Sequence, residues 1–254
     1  MLQYDIKNAF VHAGVDKEIY VIQPTGFAKG DKVCKLNKAL YGLKQSPRLW
    51  YTHLKSVLLN LGFVVLPYDE AVFIHPIHQV ILCCHVDDII AVGPTEAVIN
   101  KLINKASEKL KIQAMGKPST FLGIEIEYNQ GKSILLHQTK YTNNLLERFN
   151  KYHISKYTTP FEPGLKLDKS RNQATAKEIK EFQQQIGALL YLALKTRPDI
   201  AFAVNQCSKF MSNPNRNHFK ALDRIWSYLN NKPSLRIFYT IQNQPKLLGY
   251  SDTL

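Results

Sequence analysis

Cysteine is scarce and poorly spaced for chemistry. Only Cys34, Cys83, Cys84 and Cys207 occur in 254 residues, and none forms the C-x-x-C spacing of a zinc or dithiol site. A disulfide scaffold is excluded, and the thiols read as reduced core residues of an intracellular protein. His75 and His78 precede Cys83-Cys84, but adjacent strand residues face opposite ways and do not easily join one tetrahedron, so zinc is not the expected ion. There is no run of eighteen apolar residues, and the start MLQYD lacks the basic-plus-apolar pattern of a signal peptide, so a soluble chain with no membrane partner is expected. Acid is in short supply too: 20 Asp and Glu stand against 33 Lys and Arg, a formal charge of +13. That balance suits a polyanionic partner, although charge alone does not select nucleic acid. An apolar share of 45% with 11% aromatics excludes wholesale disorder.

Against these absences stands one dense stretch. Residues 80–93, VILCCHVDDIIAVG, join two short apolar, β-branched runs at the adjacent aspartates Asp87 and Asp88, which predicts a β-hairpin with acid at its bend. A buried strand end carries two carboxylates only against desolvation and mutual repulsion, which a divalent cation offsets. Neighbouring strand residues point to opposite faces, so the pair needs a backbone bend and a third carboxylate from elsewhere. Asp5, closing the short β-like run LQYD, supplies one. Together Asp5, Asp87 and Asp88 have the composition of a site for two Mg²⁺ ions, with Mn²⁺ as substitute, that transfers phosphoryl groups. The dipeptide alone fits an ordinary exposed turn as well, since turns are rich in aspartate.

Around this stretch the periodicity is mixed. Residues 18–27 alternate as a strand that breaks at Pro24-Thr25-Gly26, and 33–36 form a short second one. Leu49, Trp50, His53, Leu54, Val57, Leu58 and Leu61 recur at three and four residues, a helix with Pro47 in its first turn and Gly62 at its close. Residues 68–74 and 80–85 read as antiparallel strands, and 97–110 as a helix with Thr95 as its N-cap. Residues 121–128 alternate as one strand around a glycine, turned back at Gln130-Gly131 into 133–137. Pro160, Pro163 and Gly164 open a polar linker or long loop, and 177–195, 198–211 and 217–229 are helical. The class is α+β.

Three ordered motifs carry a family resemblance. Residues 5–12 (DIKNAFVH) with 18–27 (EIYVIQPTGF), then 40–50 (LYGLKQSPRLW), then Val86-Asp87-Asp88, resemble the palm motifs of reverse transcriptases from copia-type (pseudoviral) LTR retrotransposon Pol polyproteins. The resemblance covers nearly the whole chain. It implies a palm and thumb-like region over 1–157, a linker over 158–176, a mainly helical connection over 177–246, and the first strand of a ribonuclease H fold in 247–254. It further implies RNA- and DNA-templated DNA polymerisation, in which a primer 3′-hydroxyl attacks the α-phosphate of a dNTP. Asp5 and Asp87 would be the principal ligands of both metals and Asp88 a weaker one.

By the same resemblance, Phe10 would lie beneath the sugar of the incoming nucleotide and exclude a 2′-hydroxyl. Tyr41, Gly42, Lys44 and Gln45 would cradle that nucleotide. Arg48 and the hairpin Phe121-Leu122-Gly123 would contact the nucleic acid, the hairpin gripping the primer end. The implied partners are an RNA or DNA primer–template, dNTP and the remainder of a Pol polyprotein, in the cytoplasm, in virus-like particles, or in the nucleus. Two departures bear on activity. His85 stands where the family has tyrosine, and Met1 is four residues before Asp5 while Leu254 closes the sequence, so the fingers that clamp the triphosphate, and all of ribonuclease H beyond its first strand, are expected to be absent. Little or no polymerase activity follows from that expectation. The alternative is a non-catalytic, basic nucleic-acid-binding remnant.

Overall fold

The computed structural model describes residues 1–152 and 157–240, and the chain divides into two compact units, Met1–Pro118 and Ser119–Leu254. Strict alternation shapes the first element. Leu2, Tyr4 and Ile6 are buried while Gln3 and Asp5 are half-buried, so β1 (Leu2–Ile6) gives one face to a core and carries Asp5 on the other. A 3₁₀ turn (Ala9–His12) follows. Next, β2 (Tyr20–Ile22) and β3 (Val33–Lys35) pair as a two-stranded sheet of their own. The strand expected ahead of the break at Pro24-Thr25-Gly26 forms over Tyr20–Ile22, and beyond it Pro24 has no N–H for a ladder and Gly26 turns the chain at φ 86.

Helix α1 (Ser46–Asn60) has Pro47 in its first turn and buries Trp50, Leu54, Val57 and Leu58. Beyond it Gly62, at φ 90, leaves room for the His75 ring, whose Nε2 would stand 3.2 Å from a Cβ. Strands β4 (Val64–Leu66), β5 (Asp69–His75), β6 (Val80–His85) and β7 (Asp88–Val92) form an antiparallel meander. Helix α2 (Glu96–Ser107) begins where the Thr95 side chain accepts from Val98 N at 3.3 Å, and β8 (Ile112–Gly116) returns to the sheet. The order β4-β5-β6-β7-β1-β8 places β1 between the acidic hairpin and β8. Tyr4, Phe73, Leu82 and Ile89 from the sheet join Trp50, Leu58, Ile99 and Leu102 from the helices in one core. On the core side Tyr4 Oη donates to Asn100 Oδ1 at 2.7 Å, tying α2 to β1.

In the second unit, β9 (Thr120–Phe121), β10 (Ile124–Asn129) and β11 (Ser133–His137) precede α3 (Thr139–Arg148). Then come α4 (Ala176–Lys195), α5 (Ala201–Ser208), α6 (Arg216–Asn231) and β12 (Ile237–Thr240), which pairs with β11 to give the sheet β12-β11-β10-β9. The single strand expected over 121–128 is corrected here: Gly123 is the corner of a hairpin rather than a position within one strand. Helices α3 to α6 share a core of Leu145, Phe182, Ile186, Leu189, Val204, Leu222, Ile225 and Trp226. The polar stretch before α4 carries no helix or strand among its described residues. It is pinned to the helices: Phe161 and Leu167 pack on their core, and Asn213 Oδ1 accepts from Ala174 N at 2.7 Å. The strand expected in 247–254 lies outside the described residues.

The chain is therefore a mixed α+β protein. Among the described residues no helix is long and apolar enough to cross a membrane. Of the four cysteines only Cys207 is fully buried; Cys34, Cys83 and Cys84 are half-buried.

Candidate active site

Two residues, Val86 and Asp87, join β6 to β7, with His85 paired to Asp88 across the bend. Val86 takes φ 56, a left-handed conformation that costs a β-branched residue about 1–3 kcal/mol. Its carbonyl accepts from the indole Nε1 of the buried Trp50 at 2.8 Å. The Asp87 carbonyl accepts from Ile6 N at 2.7 Å. That bond makes Ile6 and Asp87 a hydrogen-bonded position, so Asp5 and Asp88, the next pair in register, occupy a non-hydrogen-bonded one, where opposed side chains stand closest.

Like charges directly opposed on neighbouring strands repel, and the acidity of Asp88 registers this. Burial first, and then the charges of Asp87 and Asp5, push its carboxyl above the ordinary aspartate value. As they stand, no three His, Cys, Asp or Glu side chains among the described residues are drawn together closely enough to cage an ion. As a donor set the three aspartates do fit a hard divalent cation: all ligands are oxygen, and the repulsion among them is what a bound cation relieves.

The Tyr41 hydroxyl reaches Asp87 Oδ2 at 3.4 Å, and its ring meets Phe10 edge-on with centroids 4.3 Å apart. Phe10 is buried while Tyr41 is 60% exposed, so the pair makes an aromatic shelf beside the carboxylates. Burial, followed by the Asp87 charge, pushes the Tyr41 phenol up, which keeps it a protonated donor at neutral pH. Gly42 sits at φ 93 with nothing within 4 Å of a built Cβ, so glycine here serves the turn. Lys44, Gln45 and Arg48 line one surface recess of about 390 Å³ with Asp16 and Lys17. Arg48 is ion-paired with Asp16, so one of the two cations expected there already has a partner. Under the shelf, Phe10, Trp50, Phe73, Cys84 and Val86 line an apolar cavity of about 240 Å³.

In the second unit Phe121 pairs with Ile124, and Leu122 and Gly123 make the two-residue loop at φ 48 and φ 78. Positive φ at both places is the signature of a type I′ hairpin turn. Side chains that sequence reasoning did not single out hold it: Tyr191 Oη donates to Leu122 O at 3.0 Å, and Gln138 Nε2 to Gly123 O at 3.3 Å. Trp50 and Val86 brace the acidic bend, and neither residue type in the sequence signals that role. The glycine after a bulky residue was the one local signal for the turn, and nothing in the sequence marks Gln138.

Residues 1–163 match the family model for reverse transcriptase (RNA-dependent DNA polymerase). The chain belongs to the reverse transcriptase family. Within it, the chain is of the copia/Ty1-type retrotransposon Pol kind. It is 36% identical to the retrovirus-related Pol polyprotein from transposon RE1 of Arabidopsis thaliana, over 98% of this chain and 17% of that one. It is 34% identical to the Pol polyprotein from transposon TNT 1-94 of Nicotiana tabacum, over 98% of this chain and 20% of that one. A putative transposon Ty5-1 protein of Saccharomyces cerevisiae is 26% identical over 98% of this chain, which spans 82% of its length. The chain thus spans a fifth or less of the length of the two plant polyproteins. Members of the family typically use Mg²⁺ and act on nucleic acid.

Proposed function

We propose that this chain carries the palm of a reverse transcriptase that extends a primer on RNA or DNA by two-metal nucleotidyl transfer. In this reading residues 1–157 are palm and thumb-like region, 158–176 a linker and 177–246 a connection region. The observation that carries it is the register of β1 on β7. It opposes Asp5 to Asp88 next to a bend that brings in Asp87, an arrangement that costs the sheet stability and whose repulsion a bound cation would relieve.

Asp5 and Asp87 are the principal ligands and Asp88 the lesser one. The Mg²⁺ pair, or Mn²⁺ in its place, supplies charge neutralisation at the phosphates and a lowered hydroxyl pKa. The chain's own residues do the rest. Phe10, fixed under Tyr41, forms the floor for the nucleotide sugar, and its bulk disfavours a 2′-hydroxyl. Tyr41 orders Asp87 through its hydroxyl, and the turn at Gly42 sets Lys44 and Gln45 toward the triphosphate. Arg48 exchanges Asp16 for a backbone phosphate, a swap that a fork-shaped guanidinium makes readily. Phe121, Leu122 and Gly123 grip the primer. The excess of positive charge, +13, draws the polyanion in without regard to sequence.

Primer extension tests this. The 254-residue chain is given primed RNA or DNA, dNTPs and Mg²⁺ or Mn²⁺, beside Asp5→Asn and Asp87→Asn. Extension by the wild type that either substitution lowers a hundredfold or more supports the reading. Extension that survives Asp87→Asn removes it; where the wild type does not extend, saturable Mn²⁺ binding that Asp87→Asn abolishes supports the two-metal palm, and equal Mn²⁺ binding by the two removes it.

A further inference from the structure

We propose that Gln138, Tyr191 and Thr196 are positioning residues that hold the Leu122–Gly123 turn in the shape that meets the primer end. The inference rests on the reading of Phe121, Leu122 and Gly123 as a primer contact. A type I′ turn is at home with Asn-Gly, whereas leucine in the left-handed region costs about 1–2 kcal/mol. Leu122 nevertheless stands at φ 48. The local sequence therefore does not hold this turn, and its stability has to come from outside it.

It comes from the helices of the same unit. The two carbonyls at the tip are both taken: Leu122 O by Tyr191 Oη from α4, Gly123 O by Gln138 Nε2 from the junction of β11 and α3. Gln138 is 1% exposed. Thr196 Oγ1 donates to its Oε1 at 3.0 Å, which turns the amide so that Nε2 faces Gly123, and Thr142 N and Oγ1 hold its main-chain carbonyl at 2.8 and 2.9 Å. Tyr191 is steadied by the Tyr141 ring at 5.2 Å, and a Cβ on Gly123 would come within 2.8 Å of its hydroxyl. A buried relay from Thr196 through Gln138, and a second arm from Tyr191, thus fix a strained backbone. The Leu122 side chain they present is 41% exposed. Fixing a contact loop in advance removes the ordering cost that binding would otherwise bear.

Loosening either arm lowers the fraction of chains whose turn is competent, and apparent affinity falls with that fraction. Fluorescence anisotropy of the 254-residue chain, on a recessed-3′ primer–template and on a blunt duplex of equal length, measures the preference for the recessed end. Tyr191→Phe and Thr196→Val should each cut that preference about fivefold, the effect of one ordinary hydrogen bond. Affinity for the blunt duplex should be unchanged, which a general loss of stability would not allow. Thr196→Ser should restore the wild-type preference. Hydrogen exchange at the Ile124 amide should quicken in Tyr191→Phe and Thr196→Val with no nucleic acid present. Leu122→Ala separates the two levels. If the wild type shows no preference, or Leu122→Ala leaves it intact, the primer reading fails and the inference with it. If Leu122→Ala abolishes the preference while Tyr191→Phe and Thr196→Val keep it, the positioning inference alone is overturned.

Discussion

Asp88 in the first unit and Asp199 in the second are the same side chain pushed in opposite directions. Burial raises Asp88, and its neighbours Asp87 and Asp5 raise it further. Burial would raise Asp199 as well, but the Arg197 guanidinium and the Tyr228 hydroxyl outweigh it and hold the carboxyl below the ordinary value. Arg197 is 1% exposed; its Nε and Nη2 reach Asp199 at 2.9 Å, and its Nη1 donates to Lys232 O at 2.9 Å. In the second unit this buried charge is matched internally, Arg197 and Tyr228 to Asp199. The first leaves carboxylates opposed across a sheet, beside a strained valine. Charge that a fold leaves unmatched marks where something else is to bind, and matched charge marks a joint of the scaffold.

The contrast breaks most visibly at Arg197. Arg197→Ala leaves Asp199 and the Lys232 carbonyl without their donor, and removes about 3 kcal/mol or more from the second unit. The chain has two tryptophans, Trp50 in the first core and Trp226 in the second. Urea unfolding should therefore show an earlier Trp226 transition and an unmoved Trp50 transition; equal shifts in both would dissolve the distinction.

Acid is the gentler form of the same cut. Asp199 titrates lower folded than unfolded, so its contribution is whole above the ordinary value of 3.8 and is lost as pH falls through the folded value. The Trp226 transition should weaken across that range, and Asp199→Asn should remove that component of the pH dependence. The smallest effect has the opposite sign. Asp88→Asn relieves a like-charge pair and should raise the stability of the first unit by about 0.5–1 kcal/mol. A lower Trp50 midpoint in that variant would mean that the acids are structural.

Much of this was legible in the sequence where a local signal and the tertiary outcome agree. The three- and four-residue spacing around Trp50 gave α1, Thr95 gave the start of α2, and Asp87-Asp88 between β-branched runs gave the acidic hairpin. What escaped depended on partners far along the chain. Strand β8 is mostly exposed and lacks alternation, so only pairing with β1 makes it a strand. Helix α3 is rich in threonine and asparagine, poor helix formers, and forms by burying Thr142, Leu145 and Leu146. Gly123 read as a break in one strand because the residues that bend it, Tyr191 and Gln138, lie 69 and 15 positions from their acceptors. The pairing of Asp5 with Asp88 could be hoped for from composition, but its register is set by the hydrogen bond of Ile6 to Asp87, which no sequence pattern displays.

The central claim is that strand register assembles Asp5, Asp87 and Asp88 for a divalent cation. The Trp50 indole bonds to Val86 O, one residue from Asp87, so a 5-fluorotryptophan-labelled chain carries its own reporter beside the site. In a Mn²⁺ titration followed by fluorine NMR, the Trp50 resonance should broaden saturably in the wild type and stay sharp over the same range in Asp87→Asn. Equal broadening in the two, or none in the wild type, would contradict the account.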